Sequence, residues 1–241
     1  MFYDYGAYFR VGVCLLFENL LEIIAPTRCS SCNDFGPLLC DVCLRKIHRY
    51  ASQFSCQKCG APYGELVCTE CWDEAFNFSR ALALGPFEPP LSRAVVTFKD
   101  KNERRLGQYL GGLIGAKICC SFGAWGDVIT WVPPSKGALR RRGFDHGKVL
   151  AQGVADTLGL PLESFCAHQK RFDLRKLNKQ ERKIAIEGGF SLKGNAQHIY
   201  AKDIVLIDDV MTTGATLNEI ARMFLGAGAQ EVRVAVVART W

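Results

Sequence analysis

Several signals that would place this chain in a membrane or outside the cell are missing. No apolar run approaches the roughly 20 residues that span a bilayer as a helix. The opening residues have no basic leader, because Asp4 precedes Arg10, and no small-residue cleavage site follows the first apolar stretch. A secretory signal is therefore not expected, and the cytosol is the expected compartment. Histidine is scarce, with four in the chain. His48, His146, His168 and His198 fall at no ligand spacing, which argues against a histidine metal centre, and His146 is expected at the surface. Low-complexity tracts are also missing, and so are internal repeats other than cysteine pairs, which excludes solenoids and disordered tails.

What is present is a foldable chain of 241 residues, 49% hydrophobic and 22% charged, with net charge +6. The charge is uneven. Residues 1–80 hold seven Lys/Arg against nine Asp/Glu, and residues 81–241 hold twenty-three against fifteen. A basic second part suits anionic ligands.

Twelve cysteines are many for a compartment where disulfides are rare. Eight of them form four C-x-x-C pairs: Cys29/Cys32, Cys40/Cys43, Cys56/Cys59 and Cys68/Cys71. The two thiolates of such a turn converge on one point, so each pair is half of a tetrahedral site. Seven residues separate the first two pairs and eight the last two, which invites two sequential four-thiolate sites, with an interleaved arrangement also possible. Zinc is the expected metal, and iron in the same geometry or redox-active disulfides are the alternatives. Four protein ligands leave no open position, so the zinc would be structural. A structural zinc can supply about 10–16 kcal/mol to folding, enough for a segment with few large apolar residues and little regular pattern. Cys14, Cys119, Cys120 and Cys166 read as small buried side chains.

Apolar residues at Val13, Leu16, Phe17, Leu20, Leu21 and Ile24 keep helical spacing up to Pro26, so an amphipathic helix is expected over 1–28. A cysteine-rich module would follow over 29–75. Beyond residue 80, strands alternate with helices, the mark of a parallel α/β sheet. An apolar run at 81–87 comes first. Helices are expected at 90–99, 103–120, 144–158 and 215–225, and strands at 127–132, 162–166, 203–208 and 231–237.

The most informative stretch is Asp203-Ile-Val-Leu-Ile-Asp-Asp-Val-Met-Thr-Thr-Gly-Ala-Thr-Leu217. A buried strand ends in Asp208 and Asp209, and a small-residue turn then opens an amphipathic helix. Ligands of open α/β sheets bind at that end of the strands. Backbone N–H groups and the helix N-terminus can cradle a phosphate, with the threonine hydroxyls as further donors. Gly214 allows a close approach. The carboxylates can accept hydrogen bonds from a vicinal diol and hold magnesium through its waters. A sugar phosphate meets both demands.

This turn resembles the PRPP (5-phosphoribosyl-1-pyrophosphate) motif of type I phosphoribosyltransferases. Together with the cysteine pairs, Phe98-Lys99, Trp131-Val-Pro-Pro-Ser-Lys136, Leu139-Arg-Arg-Arg-Gly-Phe144, Leu177 with Glu181-Arg182, and Gly226-Ala-Gly-Ala229, the chain resembles the ComF/ComFC (GntX-like) competence family. The resemblance implies a Rossmann-like parallel sheet over 81–241, preceded by a double zinc ribbon. It implies that Asp208 and Asp209 bind the ribose hydroxyls, and that Thr212, Thr213, Gly214, Ala215 and Thr216 hold the 5′-phosphate. Ser135 and Lys136 would face pyrophosphate, and Lys136 would join the two acids in any catalysis. It further implies magnesium-PRPP as ligand, with single-stranded DNA and other competence proteins as partners. The work would be DNA uptake, in the cytoplasm at the inner face of the membrane. The alternative is a phosphoribosyltransferase of nucleotide or base metabolism with no DNA role, its acceptor unspecified. The family's G-F-N-Q is Gly143-Phe144-Asp145-His146 here, and Leu174 and Ala185 also depart from the pattern.

Two basic segments remain. Residues 136–148 carry five cations and one acid, among them Arg140, Arg141 and Arg142, with Phe144 interleaved. Residues 170–183 carry seven and two, with Phe172 inside. Such segments can follow a single-stranded backbone and stack a base, or close as a lid over pyrophosphate.

Overall fold

The computed structural model describes residues 26–51, 55–61, 67–122, 125–169, 188–194 and 196–240. The expected helix over 13–24, the basic segment 170–183, and Leu177 with Glu181-Arg182 lie outside the described residues. In chain order the elements are α1 (Asp41–Ala51), β1 (Arg80–Pro86), α2 (Leu91–Asp100), α3 (Arg104–Phe122), β2 (Val128–Trp131), α4 (Lys136–Arg142), α5 (His146–Leu158), β3 (Cys166–His168), β4 (Phe190–Leu192), β5 (Asp203–Met211), α6 (Ala215–Gly226) and β6 (Glu231–Arg239).

Four strands form one parallel sheet in the order β1-β6-β5-β2. Ile204, Val205, Leu206 and Ile207 are all buried, because helices cover both faces and each strand must be apolar on both sides. On one face Val205, Ile207, Leu82 and Leu84 pack with α2, α3 and α5. On the other, Ile204, Leu206, Ala81 and Ala83 pack with Leu217, Ile220 and Phe224 of α6. In α3 the buried residues Leu106, Leu110, Ile114 and Ile118 recur every four positions. That face turns Cys119 and Cys120 outward, so their expected burial is corrected, whereas Cys166 is buried as expected. At the crossing of α3 and α5 the backbones nearly touch. A Cβ on Gly153 would lie 2.2 Å from the Gln108 carbonyl oxygen.

The helix expected over 144–158 is α5, and a further short helix that the pattern did not show, α4, precedes it. Gly143 adopts the left-handed conformation (φ 72°) that ends α4, and Asp145 caps α5 by accepting from the Lys148 N–H at 3.0 Å. The strand expected at 162–166 is reduced to a single bridge from Leu162 to Ile129. Cys166–His168 pairs antiparallel with Phe190–Leu192 instead.

The cysteine-rich segment is more regular than its composition suggests. Cys43 and Ile47, four residues apart, are buried along one side of α1, and with Leu39 just before the helix they join the core that holds Leu84, Leu91 and Phe98. The segment lacks a core of its own and borrows that of the sheet.

Candidate functional site: a phosphate-binding turn beside two four-cysteine modules

The eight paired cysteines fall into two sequential groups, Cys29/Cys32/Cys40/Cys43 and Cys56/Cys59/Cys68/Cys71, which closes the interleaved alternative. Within each group the sulfurs lie within 4.8 Å of one another. The edge between Cys32 and Cys40 is 3.5 Å and that between Cys59 and Cys68 is 3.7 Å. A tetrahedron of sulfurs about 2.3 Å from zinc has edges of about 3.8 Å, so the donor sets fit that metal. Cys29 accepts from the Cys40 N–H at 3.4 Å, and Cys56 from the Cys68 N–H at 3.3 Å. Burial alone would raise both thiols. Backbone N–H donors outweigh it and bring Cys29 down to about 6 and Cys56 down to about 7, which favours the thiolate at the first position of each group, whereas burial leads the causes that push Cys43, Cys59 and Cys71 up.

The carboxyl ends of the strands gather the other site. Successive side chains of β5 point to opposite faces, so Asp208 lies on the α6 side and Asp209 on the side of α2 and α5. Asp209 is buried, with Lys99 Nζ of α2 at 2.6 Å and His146 Nε2 of α5 at 3.1 Å from Oδ2. Burial works to raise its pKa. The His146 ring and the Lys99 ammonium outweigh that and hold the carboxyl well below the usual carboxylate range. His146 Nδ1 lies 3.2 Å from Arg142 Nη1. A guanidinium can only donate, so Nδ1 accepts, and the ring proton sits on Nε2, toward Asp209. His146 is thus buried, and the surface expectation is corrected. Asp208, half-buried, accepts from the Asp209 N–H at 2.8 Å. Burial, and then the Asp209 charge beside it, push its carboxyl up to about 8. The environments of the two adjacent acids thus push their pKa values in opposite directions, the pattern by which paired carboxylates take separate roles.

After Met211 the chain turns through exposed Thr212 and Thr213 to Gly214 at φ 75°. A Cβ at Gly214 would sit 2.6 Å from Met211 Cε and 3.3 Å from Phe76 Cε1. Ala215 and Thr216 begin α6; its N-cap Gly214 has no side chain, and Thr213 Oγ1 accepts from the Ala215 N–H at 3.4 Å, which leaves the Thr216 and Leu217 N–H groups of the first turn available to an anion. Arg239, buried at the end of β6, donates to the Thr212 carbonyl and fixes the turn from below.

Beside this turn, Val132 donates to the Ile207 carbonyl at 3.0 Å, which brings the 133–136 loop to the end of β5. Ser135 Oγ accepts from the Ala138 N–H at 3.1 Å and caps α4. Lys136, Arg140 and Arg141 are exposed, on a helix with no buried residue. Phe144 is buried, tilted against Phe98 at 5.8 Å between ring centroids, with the Arg104 guanidinium 4.9 Å above it. Its expected role as a stacking platform for a base is corrected, because the ring is part of the core.

Sequence reasoning missed Lys99 and Arg239 as contributors to the site, and undervalued His146. Each had a signal: a lysine after a buried phenylalanine, an arginine closing an apolar strand, and a histidine next to an N-capping aspartate.

A phosphoribosyl transferase domain matches residues 145–240. DNA utilization protein YhgH of Salmonella typhi is 30% identical over 210 residues, 84% of this chain and 90% of that protein. Competence protein F of Haemophilus influenzae is 26% identical over 209 residues, 83% and 90% of the two chains. Adenine phosphoribosyltransferase of Nocardia farcinica is 34% identical over 100 residues, 38% of this chain and 48% of that one. The parallel sheet, the acid pair above a glycine turn and the two cysteine modules agree with those likenesses, and the chain belongs to the family of DNA utilization protein YhgH and competence protein F.

Proposed function

We propose that this protein binds magnesium-PRPP at the carboxyl end of its parallel sheet and acts in DNA uptake, handling single-stranded DNA. The observation that carries the reading is the continuity of Asp208, the Thr212–Thr216 turn and the start of α6, whose N-cap is the glycine Gly214. It puts an acceptor for ribose hydroxyls one turn away from a phosphate cradle. Asp209 is already matched by Lys99 and His146, so Asp208 makes the first contact with ribose and Asp209 orients the Lys99 and His146 side chains. Lys136, exposed at the start of α4, is the cation nearest in sequence to the pyrophosphate side. Bound magnesium would neutralise charge on the leaving pyrophosphate. If an acceptor nucleophile is present, its lone pair forms the bond to C1 as the C1–O bond breaks, and the electron pair leaves with pyrophosphate. Two structural zinc ions complete the assignment.

Calorimetry with magnesium-PRPP tests the site. Wild type binds, and Asp208→Asn loses about 10–150-fold in affinity, the equivalent of one charged hydrogen bond at about 1.5–3 kcal/mol. A folded Asp208→Asn protein with wild-type affinity overturns the assignment.

The DNA reading is favoured by α4, whose Arg140 and Arg141 are exposed and have no hydrogen-bond or ion-pair partner among the described residues. Arg140→Ala with Arg141→Ala should flatten the dependence of log affinity on log salt by about 1.4, at about 0.7 per phosphate on single strands. If those changes abolish PRPP binding and leave DNA binding intact, α4 serves pyrophosphate. Pyrophosphate release with a nucleoside or base acceptor would identify an active transferase.

A further inference from the structure

The second four-cysteine module touches the phosphate-binding turn at three separate points. Phe76 follows the last cysteine pair by five residues and stacks on Phe78 at 4.6 Å between centroids. Its ring edge approaches the Gly214 Cα so closely that a Cβ there would meet Phe76 Cε1 at 3.3 Å. Asn77 donates twice to Asn218 Oδ1, from its backbone N–H at 2.6 Å and from Nδ2 at 3.0 Å. Asn218 in turn closes the first turn of α6, its N–H donating to the Gly214 carbonyl at 2.8 Å. Arg239 bridges the third point. One guanidinium nitrogen donates to the Thr212 carbonyl, and the other lies 3.9 Å from Glu70, which sits between the ligands Cys68 and Cys71.

These contacts trace back to the metal ligands. Lys58, inside the Cys56/Cys59 turn, donates to the Cys71 carbonyl at 3.0 Å and to the Glu74 carbonyl at 2.9 Å. The two cysteine turns and the strand of chain leading to Phe76 are thereby tied into one unit. Cys56, Cys59 and Cys71 share the core of the α6 face with Phe78, Met211 and Leu217. A turn of small residues has little packing of its own, so its geometry depends on what flanks it.

We propose that the second module is a positioning element of the phosphate-binding turn: its metal holds Phe76, Asn77 and Glu70 in place, and they hold residues 212–218. The first module has no such connection among the described residues. Its Cys29 and Cys43 pack on the opposite face with Leu91 and Phe98. This inference rests on the PRPP reading only for its second consequence. The first consequence is mechanical: loss of metal from the second module loosens the turn whether or not any ligand is bound. The second is linkage: if metal favours the PRPP-binding form of the turn, PRPP favours retention of that metal by the same factor.

The test uses hydrogen exchange on the full chain, followed by zinc release to a chromogenic chelator with and without magnesium-PRPP. Cys59→Ser with Cys71→Ser should speed amide exchange over 213–218 by about tenfold or more. Cys32→Ser with Cys40→Ser should leave those amides at the wild-type rate. Magnesium-PRPP should shift the equilibrium partition of one of the two zinc ions between protein and chelator toward the protein, by the same factor by which Cys59→Ser with Cys71→Ser weakens PRPP binding. If the cysteine variants do not fold, Asn218→Ala and Phe76→Ala keep all eight thiols and break two of the three contacts. They should speed exchange over 213–218 with zinc content unchanged. Turn exchange that is indifferent to the second module and to both replacements overturns the positioning role. Turn exchange that follows the module in a protein that binds no PRPP supports the positioning role and overturns the PRPP reading.

Discussion

The first four-cysteine module carries an eleven-residue helix and the second, among the described residues, a single 3-10 turn at Thr69–Cys71. The sulfur geometry is nearly the same in both. In each, the first cysteine accepts from the backbone N–H of the third, and the second and third sulfurs are about 3.5–3.7 Å apart. The surroundings differ. The first module sends Leu39, just before α1, and Ile47 of α1 into the core under α2, α3 and α5. The second puts Cys56, Cys59 and Cys71 against β1 and the α6 face, and its outgoing chain reaches the start of α6. A metal knot fixes only a few ångströms of backbone. What it does for the protein is decided by the side chains leaving it, core residues in one case and contacts to the turn in the other.

The largest expected effect separates these roles by stability. Ile47 is 1% exposed, and Ile47→Ala should lower the unfolding free energy by about 2–5 kcal/mol, as methyl loss in a packed core does. Urea denaturation measures it. At a temperature where the variant is folded, its affinity for magnesium-PRPP should equal that of wild type. Phe76→Ala should show the reverse, a smaller stability loss and weaker PRPP binding. Equal effects of the two replacements on PRPP would break the comparison, since both modules would then act on the site only by supporting the fold.

A second prediction concerns what the first module's face contributes. Lys99 and His146 stand on that face and meet Asp209 there. Lys99→Met removes the cation at 2.6 Å and should cost about 1.5–3 kcal/mol, the scale of a hydrogen bond to a charged group. The pH dependence has a definite sign. The Asp209 carboxyl titrates lower in the folded protein than in the unfolded chain. Its stabilisation is therefore present above about pH 4, the unfolded value, and is lost as pH falls through the folded value. Acid titration of Lys99→Met should show less of that loss than wild type. Identical acid profiles would mean that His146 alone holds the charge.

Much of this was legible in the sequence, for reasons visible in particular residues. The β5 strand announced itself because four consecutive apolar residues ran into two acids and a glycine turn, and local pattern is enough to place such a unit. The cysteine pairs gave the ligands, because C-x-x-C geometry is local. Their sequential grouping was legible from the seven- and eight-residue gaps as the favoured arrangement, but interleaved pairing satisfies the same spacings and only the path of the chain decides. Helix α1 was hidden by its own cysteines: Cys43 fills a position in the buried stripe between Leu39 and Ile47, and reading it as a ligand alone broke the period. Phe144 and His146 were misplaced because a basic neighbourhood suggested a surface. Both turn inward where α5 starts, against Phe98 and Asp209, contacts that connect residues more than forty positions apart.

The smallest expected effect isolates Asp208, the acid on the second module's face. Its carboxyl is raised to about 8, by burial first and then by the Asp209 charge. An acid whose folded pKa is raised stabilises the fold fully below the unfolded value near 4, and that contribution fades as pH rises toward 8. Ligand binding should run the other way. A ribose diol and a hydrated magnesium ion both favour the ionised carboxylate, so PRPP affinity should increase as Asp208 gives up its proton. Between pH 7.0 and 8.5 the ionised fraction rises by about eightfold, and the affinity should follow it. Staying above pH 7 avoids most of the phosphate titration near pH 6. Asp208→Asn has nothing to ionise there, so its weaker binding should be flat across the same range. A wild-type profile as flat as that of Asp208→Asn would remove Asp208 from the ribose contact and leave the threonine turn, with the module that braces it, as the whole of the binding site.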